Sequence, residues 1–342
     1  MDRASLVTLC KASGFHHVRL TPVTVTPGFK RYLDWLENGF HGTMSYLEKN
    51  IEVRRDPTLR LSSAKTALVL AVDHHSVRPK KPSPLSGKVA SYAWGRDYHN
   101  LMGKRLKRLR KALRENNIDS WGGVDTAPVL ERSWARVSGM GFRGKNGMQI
   151  FPARGSHFML AVLFIEGSWE ADQEVGDHCG SCDRCIIACP TEAIGASGIV
   201  DSRKCLSYWS IEHSGSVPAE IRTRFGDWFF GCDECQTACP HNAKMSPSIE
   251  DDLLPRHGWV ELDELLASED EAIMNRFIGT PLRRPKAAGL RRNALIVLGN
   301  SGQEAALSAI EPYVDSRNPV LQETARWALG EVVASLDSRG HQ

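Results

Sequence analysis

Eight of the nine cysteines in the 342-residue chain lie between positions 179 and 239. Cys179, Cys182, Cys185 and Cys189 stand in "CGSCDRCIIACP", the C-x2-C-x2-C-x3-C-P run of bacterial ferredoxins. In that run three closely spaced thiolates grip one [4Fe–4S] cube while the fourth reaches across to a second. "CDECQTACP", starting at Cys232, repeats the end of the pattern with Cys235 and Cys239, and Cys205 in "DSRKCLSYW" fills the place of the displaced first cysteine. The crossover then assigns Cys179, Cys182, Cys185 and Cys239 to one cube, and Cys189, Cys205, Cys232 and Cys235 to the other. Structural zinc sites normally use two C-x2-C pairs, so three cysteines followed by C-P favour iron–sulfur over zinc. Two cubes suit the movement of single electrons from a surface donor to something buried. Cys10 is left over and reads as an ordinary buried residue.

A second stretch, Val124 to Ile150, "VDTAPVLERSWARVSGMGFRGKNGMQI", resists a plain core reading. It sets Asp125 before Thr126, Ala127 and Pro128, follows with the Glu131-Arg132 pair, and places Lys145-Asn146 among glycines 139, 141, 144 and 147. Those glycines let backbone approach a ligand closely and equally suit plain turns. Asp before Thr and Pro is commonly a turn cap, so the residues alone leave Asp125 open between capping and catalysis.

The elements that must position these groups are legible on either side. "TALVLAVDHH" from Thr66 is an apolar, β-branched run that predicts a buried strand. "NLMGKRLKRLRKALR" from Asn100 to Arg114 spaces Met102, Leu106, Leu109 and Leu113 for one helical face, with seven Lys or Arg and no acid on the others. That cationic face suits either solvent or a polyanion. Strand and helix signals alternate, which predicts an α/β domain before the cysteines. Beyond a loop at "SPSIEDDLLPRHG", "LRRNALIVLGN" from Leu290 aligns with "LQETARWALGE" from Leu321 at an offset of 31 residues, the mark of stacked HEAT-like helix pairs. "RRPKAAGLRR", Arg283 to Arg292, holds five basic residues and no acid, a pattern that favours phosphate-backbone binding.

The formal net charge is +3, so a nucleic-acid surface must come from such local clusters. The longest apolar runs reach about eight residues against the roughly 20 that span a bilayer, and the N-terminus lacks a secretory pattern. These features predict a cytoplasmic protein with no membrane association, where clustered cysteines serve metals or catalysis rather than disulfides.

Taken in order, "RRDP", "WGRDYH", "VDTAPVLER", "GFRGKN", "CGSCDRCIIACPTEAI", "CLSYWSIE", "FGCDECQTACP" and "LRRNALIVLGN" resemble the epoxyqueuosine reductase family motif by motif and nearly end to end. The resemblance implies a cobalamin-dependent, two-cluster iron–sulfur enzyme that reduces the epoxide of epoxyqueuosine at the wobble position of tRNA, the last step of queuosine synthesis. It also implies an architecture: a nitroreductase-like α/β cobalamin-binding domain, a ferredoxin-like double-cluster module and a C-terminal α-helical HEAT-like domain that contacts tRNA. On this chain those fall at about 1–170, 171–250 and 251–342. The family's proton donor falls on Asp125, and cobalamin-pocket positions fall on Arg54, Tyr98, His99, Arg132, Lys145 and Asn146, with Ser207 beside a cluster ligand as a further candidate. Gly147 and His241 depart from the family's usual residues and bear on fine contacts to corrin and substrate.

Several expectations follow from that resemblance. Burial should raise the Asp125 pKa so that the acid holds its proton near neutral pH. His99 should serve the pocket without ligating cobalt. The second cube should face the corrin, and the first should take electrons from a low-potential ferredoxin- or flavodoxin-type donor. A monomer suits so large a substrate. The rival readings are a reductive dehalogenase-like enzyme, whose usual twin-arginine signal has no counterpart in the internal Arg54-Arg55, and a non-enzymatic iron–sulfur electron carrier.

Overall fold

Nine strands form three sheets among the described residues: β1 (His17–Pro22), β2 (Ala64–Asp73), β3 (Ser86–Val89), β4 (Ser120–Gly123), β5 (Phe142–Arg143), β6 (Gln149–Ile150), β7 (Phe158–Glu166), β8 (Trp228–Phe230) and β9 (Trp259–Glu261). The structure, a computed structural model, describes residues 1–152, 154–195, 198–243, 245–248 and 250–340.

The largest sheet runs β1-β2-β7-β4, with every neighbouring pair antiparallel. The run read as a buried strand is β2, and its two-residue alternation separates two cores. Leu68, Leu70 and Val72 face Leu6, Met102, Leu106, Leu109 and Leu113, whereas Ala67, Val69 and Ala71 face Trp134, Ala135 and Phe164. Helices α1 (Arg3–Ala12) and α4 (Tyr98–Glu115) thus cover one face, and α5 (Glu131–Val137) covers the other; α2 (Phe29–Glu37) and α3 (Ile51–Arg55) lie between β1 and β2 in the chain. The helix read from Asn100 is α4, with Met102, Leu106, Leu109 and Leu113 all buried. Each fully buried side chain of this size contributes about 1.5–3 kcal/mol, which fixes the helix against the sheet. Asp97 caps it, accepting from the His99 N–H at 2.9 Å.

Edge strand β4 pairs only with β7, and its end runs through buried Val124 into Asp125. A second sheet, β8-β3-β9, draws one strand from each of the three expected segments, with β3 parallel to β8 and antiparallel to β9. Toward the C-terminus, helices Lys286–Ser301 and Pro319–Gly340 pack on each other and carry the two repeat sequences. A Cβ at Gly299 would lie 2.8 Å from the Ala328 Cα, so glycine permits the close crossing.

The basic segment at Arg283–Arg292 is not one phosphate-binding surface. Arg292 is wholly buried and donates to the carbonyls of Trp209, His213 and Gly215 at 2.6, 2.6 and 2.8 Å. Arg291 pairs with Asp270 and donates to the Ser268 carbonyl at 2.6 Å. Arg292 is satisfied inside the protein, and Arg291 is held by Asp270 and Ser268 with its Nε buried and unbonded among the described residues, leaving Arg283, Arg284 and Lys286 exposed. Among the described residues no helix is long and apolar enough to cross a membrane.

Candidate active site

The turn after β4 holds Asp125 at φ +47, a left-handed conformation that a short polar side chain tolerates better than most. Its Oδ2 accepts from the Tyr98 hydroxyl at 2.6 Å and meets His99 Nε2 at 3.0 Å. The other ring nitrogen, His99 Nδ1, lies 2.8 Å from Asp97 Oδ1. Tyr98 and His99 come from the first turn of α4 and stack with ring centroids 4.1 Å apart. An imidazole between two carboxylates is held as the cation: burial opposes the charge, but the bonds to Asp125 and Asp97 outweigh it and raise the His99 pKa to about 9. Both ring nitrogens are thereby engaged.

Asp125 shows the reverse balance. Partial desolvation favours its neutral form, yet the His99 and Tyr98 hydrogen bonds and the charges of His99 and Arg132 hold its carboxyl below the usual range. Its side chain is also 61% exposed. The expectation of a buried Asp125 with a raised pKa is therefore corrected: in this conformation the proton rests on His99, and Asp125 is a carboxylate that accepts a hydrogen bond from it. Tyr98 stays a neutral donor, because burial and the Asp125 charge push its phenol far above the ordinary value.

The carboxyl that burial does raise is Glu131, pushed up to about 7. Its Oε1 is buried without a partner among the described residues, and the group faces the backbone amides of Glu131 and Asp125. Sequence reasoning marked Glu131 only as half of a charged pair and passed over Asp97; the signal for the latter was its place just before the apolar periodicity of α4, where a helix cap belongs.

The remaining expected residues divide. Arg54 is buried under Tyr32, with its guanidinium carbon 5.9 Å from the ring centroid, and Arg132 donates to the Gly147 carbonyl at 3.1 Å. Lys145 instead donates to the carbonyls of Gly180 and Cys182, both at 2.9 Å, and Asn146 donates to that of Cys235 at 3.2 Å. These two brace the cysteine loops rather than touching Asp125. Ser207, at the start of helix Leu206–Ile211, turns its amide and hydroxyl toward Cys205.

One pocket open to solvent is lined by Cys179, Cys182, Cys185 and Cys239 together with Lys145, Asn146 and His241. Of the other four cysteines, Cys205 feels the charge of Cys189, and Cys235 feels those of Cys205 and Cys189 and, less, that of Cys185. Burial pushes the thiols of Cys205, Cys232 and Cys235 up, so the thiolates a cluster requires become favourable only against its metal charge. Amide donors are already aimed at sulfur, with Ala193 N–H 3.2 Å from Cys189 Sγ. Asp233, buried between Cys232 and Cys235, accepts from the Ser91 N–H at 2.7 Å and ties that loop to the segment following β3.

Comparison with known proteins adds two family matches. Residues 178–242 match the 4Fe-4S double cluster binding domain, and residues 54–126 match the family described as epoxyqueuosine reductase QueG, DUF1730. An epoxyqueuosine reductase of Xanthomonas campestris pv. campestris is 32% identical over 339 residues, spanning 96% of this chain and 95% of the relative. The crystal structure of epoxyqueuosine reductase with a tRNA-Tyr epoxyqueuosine-modified tRNA stem loop is 27% identical and superposes with a TM-score of 0.89 over 98% of this chain and 92% of that one. A Bacillus subtilis epoxyqueuosine reductase, with its aspartate catalytic loop swung out of the active site, is 26% identical with a TM-score of 0.89 over 98% and 93%.

Proposed function

Because this chain belongs to the epoxyqueuosine reductase family, we propose that its Asp125 site and its two cysteine sets work as one machine, electrons crossing the clusters to an epoxide that the Asp125 group protonates. The protein is an oxidoreductase that reduces the epoxide of epoxyqueuosine in tRNA to give queuosine. Turning an epoxide into an alkene consumes two electrons and two protons and releases water. No amino-acid side chain supplies such electrons, so cofactors must, and the protein's part is placement and proton supply.

The ligand sets are Cys179, Cys182, Cys185 and Cys239 for one [4Fe–4S] cluster and Cys189, Cys205, Cys232 and Cys235 for the other. Cobalamin, when bound, supplies a strong cobalt reductant at the epoxide carbon. The residues suit it: Arg143 Nε, Gln149 Oε1 and Glu131 Oε1 are buried without a partner among the described residues, and the amide-rich rim of a corrin offers both donors and acceptors. Arg54, Tyr98, His99 and Arg132 line its pocket, while Lys145, Asn146 and Ser207 hold the cluster loops on which its reduction depends.

The proton path is carried by one observation, the Tyr98–Asp125–His99–Asp97 hydrogen-bond chain. With substrate over the exposed Asp125 carboxylate, water is displaced and the ionised form loses its solvation. The proton on His99 Nε2 then passes along the 3.0 Å hydrogen bond to Asp125 Oδ2 and on to the departing oxygen. His99, bonded through both nitrogens, orients and recharges Asp125 without ligating cobalt.

The electron donor is a low-potential ferredoxin or flavodoxin that docks at the Cys179–Cys185 cluster. The enzyme works as a cytoplasmic monomer, with residues 1–170 as the corrin domain, 171–250 as the cluster module and 251–342 as a tRNA-contacting helical domain. The decisive test is anaerobic turnover of epoxyqueuosine-containing tRNA with cobalamin and a strong reductant. Asp125→Ala should lower turnover by about 100-fold or more while cluster absorbance stays unchanged; equal turnover in both proteins would sink the acid assignment.

A further inference from the structure

We propose that Tyr46 and Arg284 form a stacking platform at the mouth of the active site for an anticodon-loop nucleotide beside the modified wobble base. This rests on the tRNA reading above. Tyr46 stands in the short 3-10 turn Ser45–Glu48 and is 42% exposed, so no core explains it. The Arg284 guanidinium carbon lies 5.7 Å from its ring centroid, and Arg284 Nη2 donates to Glu212 Oε2 at 2.9 Å.

Three segments far apart in the chain thus hold one exposed aromatic ring in place. Glu212 fixes Arg284, and Arg284 fixes the ring. Tyr46 and Arg284 lie within range of the Asp125 charge, and Tyr32, which donates to the Leu47 carbonyl next to Tyr46, packs on Arg54 of the expected corrin pocket. Epoxide reduction needs neither a second phenol nor an exposed guanidinium there, because Tyr98 and His99 already serve Asp125. Presenting a single base from a loop does need them. Unstacked loop bases are received on aromatic faces and guanidinium planes, and the adjoining phosphate is met by positive charge. The Arg284 side chain is 58% exposed and follows exposed Arg283, so the pair offers both a flat surface and that charge.

The test uses the full-length protein and an anticodon stem-loop in which 2-aminopurine replaces a nucleotide next to the wobble position. Wild-type protein and Tyr46→Phe should bind it with strong quenching of the probe. Tyr46→Ala should bind about tenfold or more weakly with the quenching lost. Arg284→Gln should lower the slope of log affinity against log salt by about one. The platform is overturned if Tyr46→Ala binds and quenches as wild type does. Equal weakness of Tyr46→Phe and Tyr46→Ala overturns it too, as does a Tyr46→Ala protein that loses cobalamin affinity while keeping that for RNA. A wild-type protein unable to tell the stem-loop from an unrelated hairpin overturns the tRNA reading itself and the platform with it. Selective binding that survives Tyr46→Ala overturns the platform alone.

Discussion

His99 and Glu131 flank Asp125 with pKa values displaced upward for different reasons, and the two make opposite demands on the fold. His99 is raised to about 9 from an ordinary value near 6.5, after its two carboxylates overcome burial. Raised values stabilise the folded protein below the unfolded pKa, and that contribution disappears as pH climbs through the folded one. His99→Gln should therefore be less stable than wild type by about 1–2 kcal/mol at pH 6, after allowance for partial solvent screening, with the gap closing above pH 9. Thermal denaturation across that range measures it. Glu131, raised to about 7 by burial, stabilises only while neutral. Its contribution is complete below about 4.5 and gone above about 7, where the fold must bury a carboxylate. Glu131→Gln keeps the shape without the charge and should be more stable than wild type at pH 8 but not at pH 4.5. A variant equally shifted at both values would contradict the burial.

Among the elements, the C-terminal helix pair is anchored by an arginine that belongs by sequence to a basic cluster and by structure to the interior. Arg292 on helix Lys286–Ser301 ties down the carbonyls of Trp209, His213 and Gly215, in and just after the short helix that follows Cys205. Arg292→Ala strands those carbonyls and should destabilise the protein by about 3–5 kcal/mol, with loss of iron from the second cluster before any specific loss of RNA affinity. Iron analysis beside a binding titration separates the two effects. Gly299→Val on the same helix should cost about 1–3 kcal/mol by overpacking against Ala328, detected as a lower denaturation midpoint.

For the whole molecule, the sharpest prediction concerns which distant cysteines share a cluster. Cys239 lines the same pocket as Cys179, 60 positions earlier, whereas its near neighbour Cys235 lies outside that lining and feels Cys205 and Cys189 more than Cys185. Cys239→Ser and Cys179→Ser should therefore perturb the same electron paramagnetic resonance signal, and Cys235→Ser should perturb the other. Identical spectra from Cys235→Ser and Cys239→Ser would refute the crossover. The parallel pairing of β3 with β8 and the bond from Ser91 N–H to Asp233 tie the second cysteine set to β3 and the segment after it, so loss of the second cluster should also loosen β3, measurable by amide exchange.

The sequence by itself determined whatever depends on short-range spacing. The cysteine run declares a cluster because three of a cube's four ligands come from a few adjacent turns. The two-residue alternation of β2 and the helical spacing of Met102 to Leu113 declare their elements because each buries one face along a continuous segment. The turn at Asp125 and the repeat helices from Leu290 and Leu321 were visible for the same reason. Charge and protonation were not, because they depend on what the rest of the chain brings near. Only the tertiary structure sets Asp97 and Asp125 on either side of His99 and so leaves the proton on the imidazole. Only it buries Arg292 among carbonyls from about 80 positions earlier in the chain, while leaving Arg284 over Tyr46 at the surface. Electrostatics in a folded protein follows distance in space, and distance along the chain does not encode it.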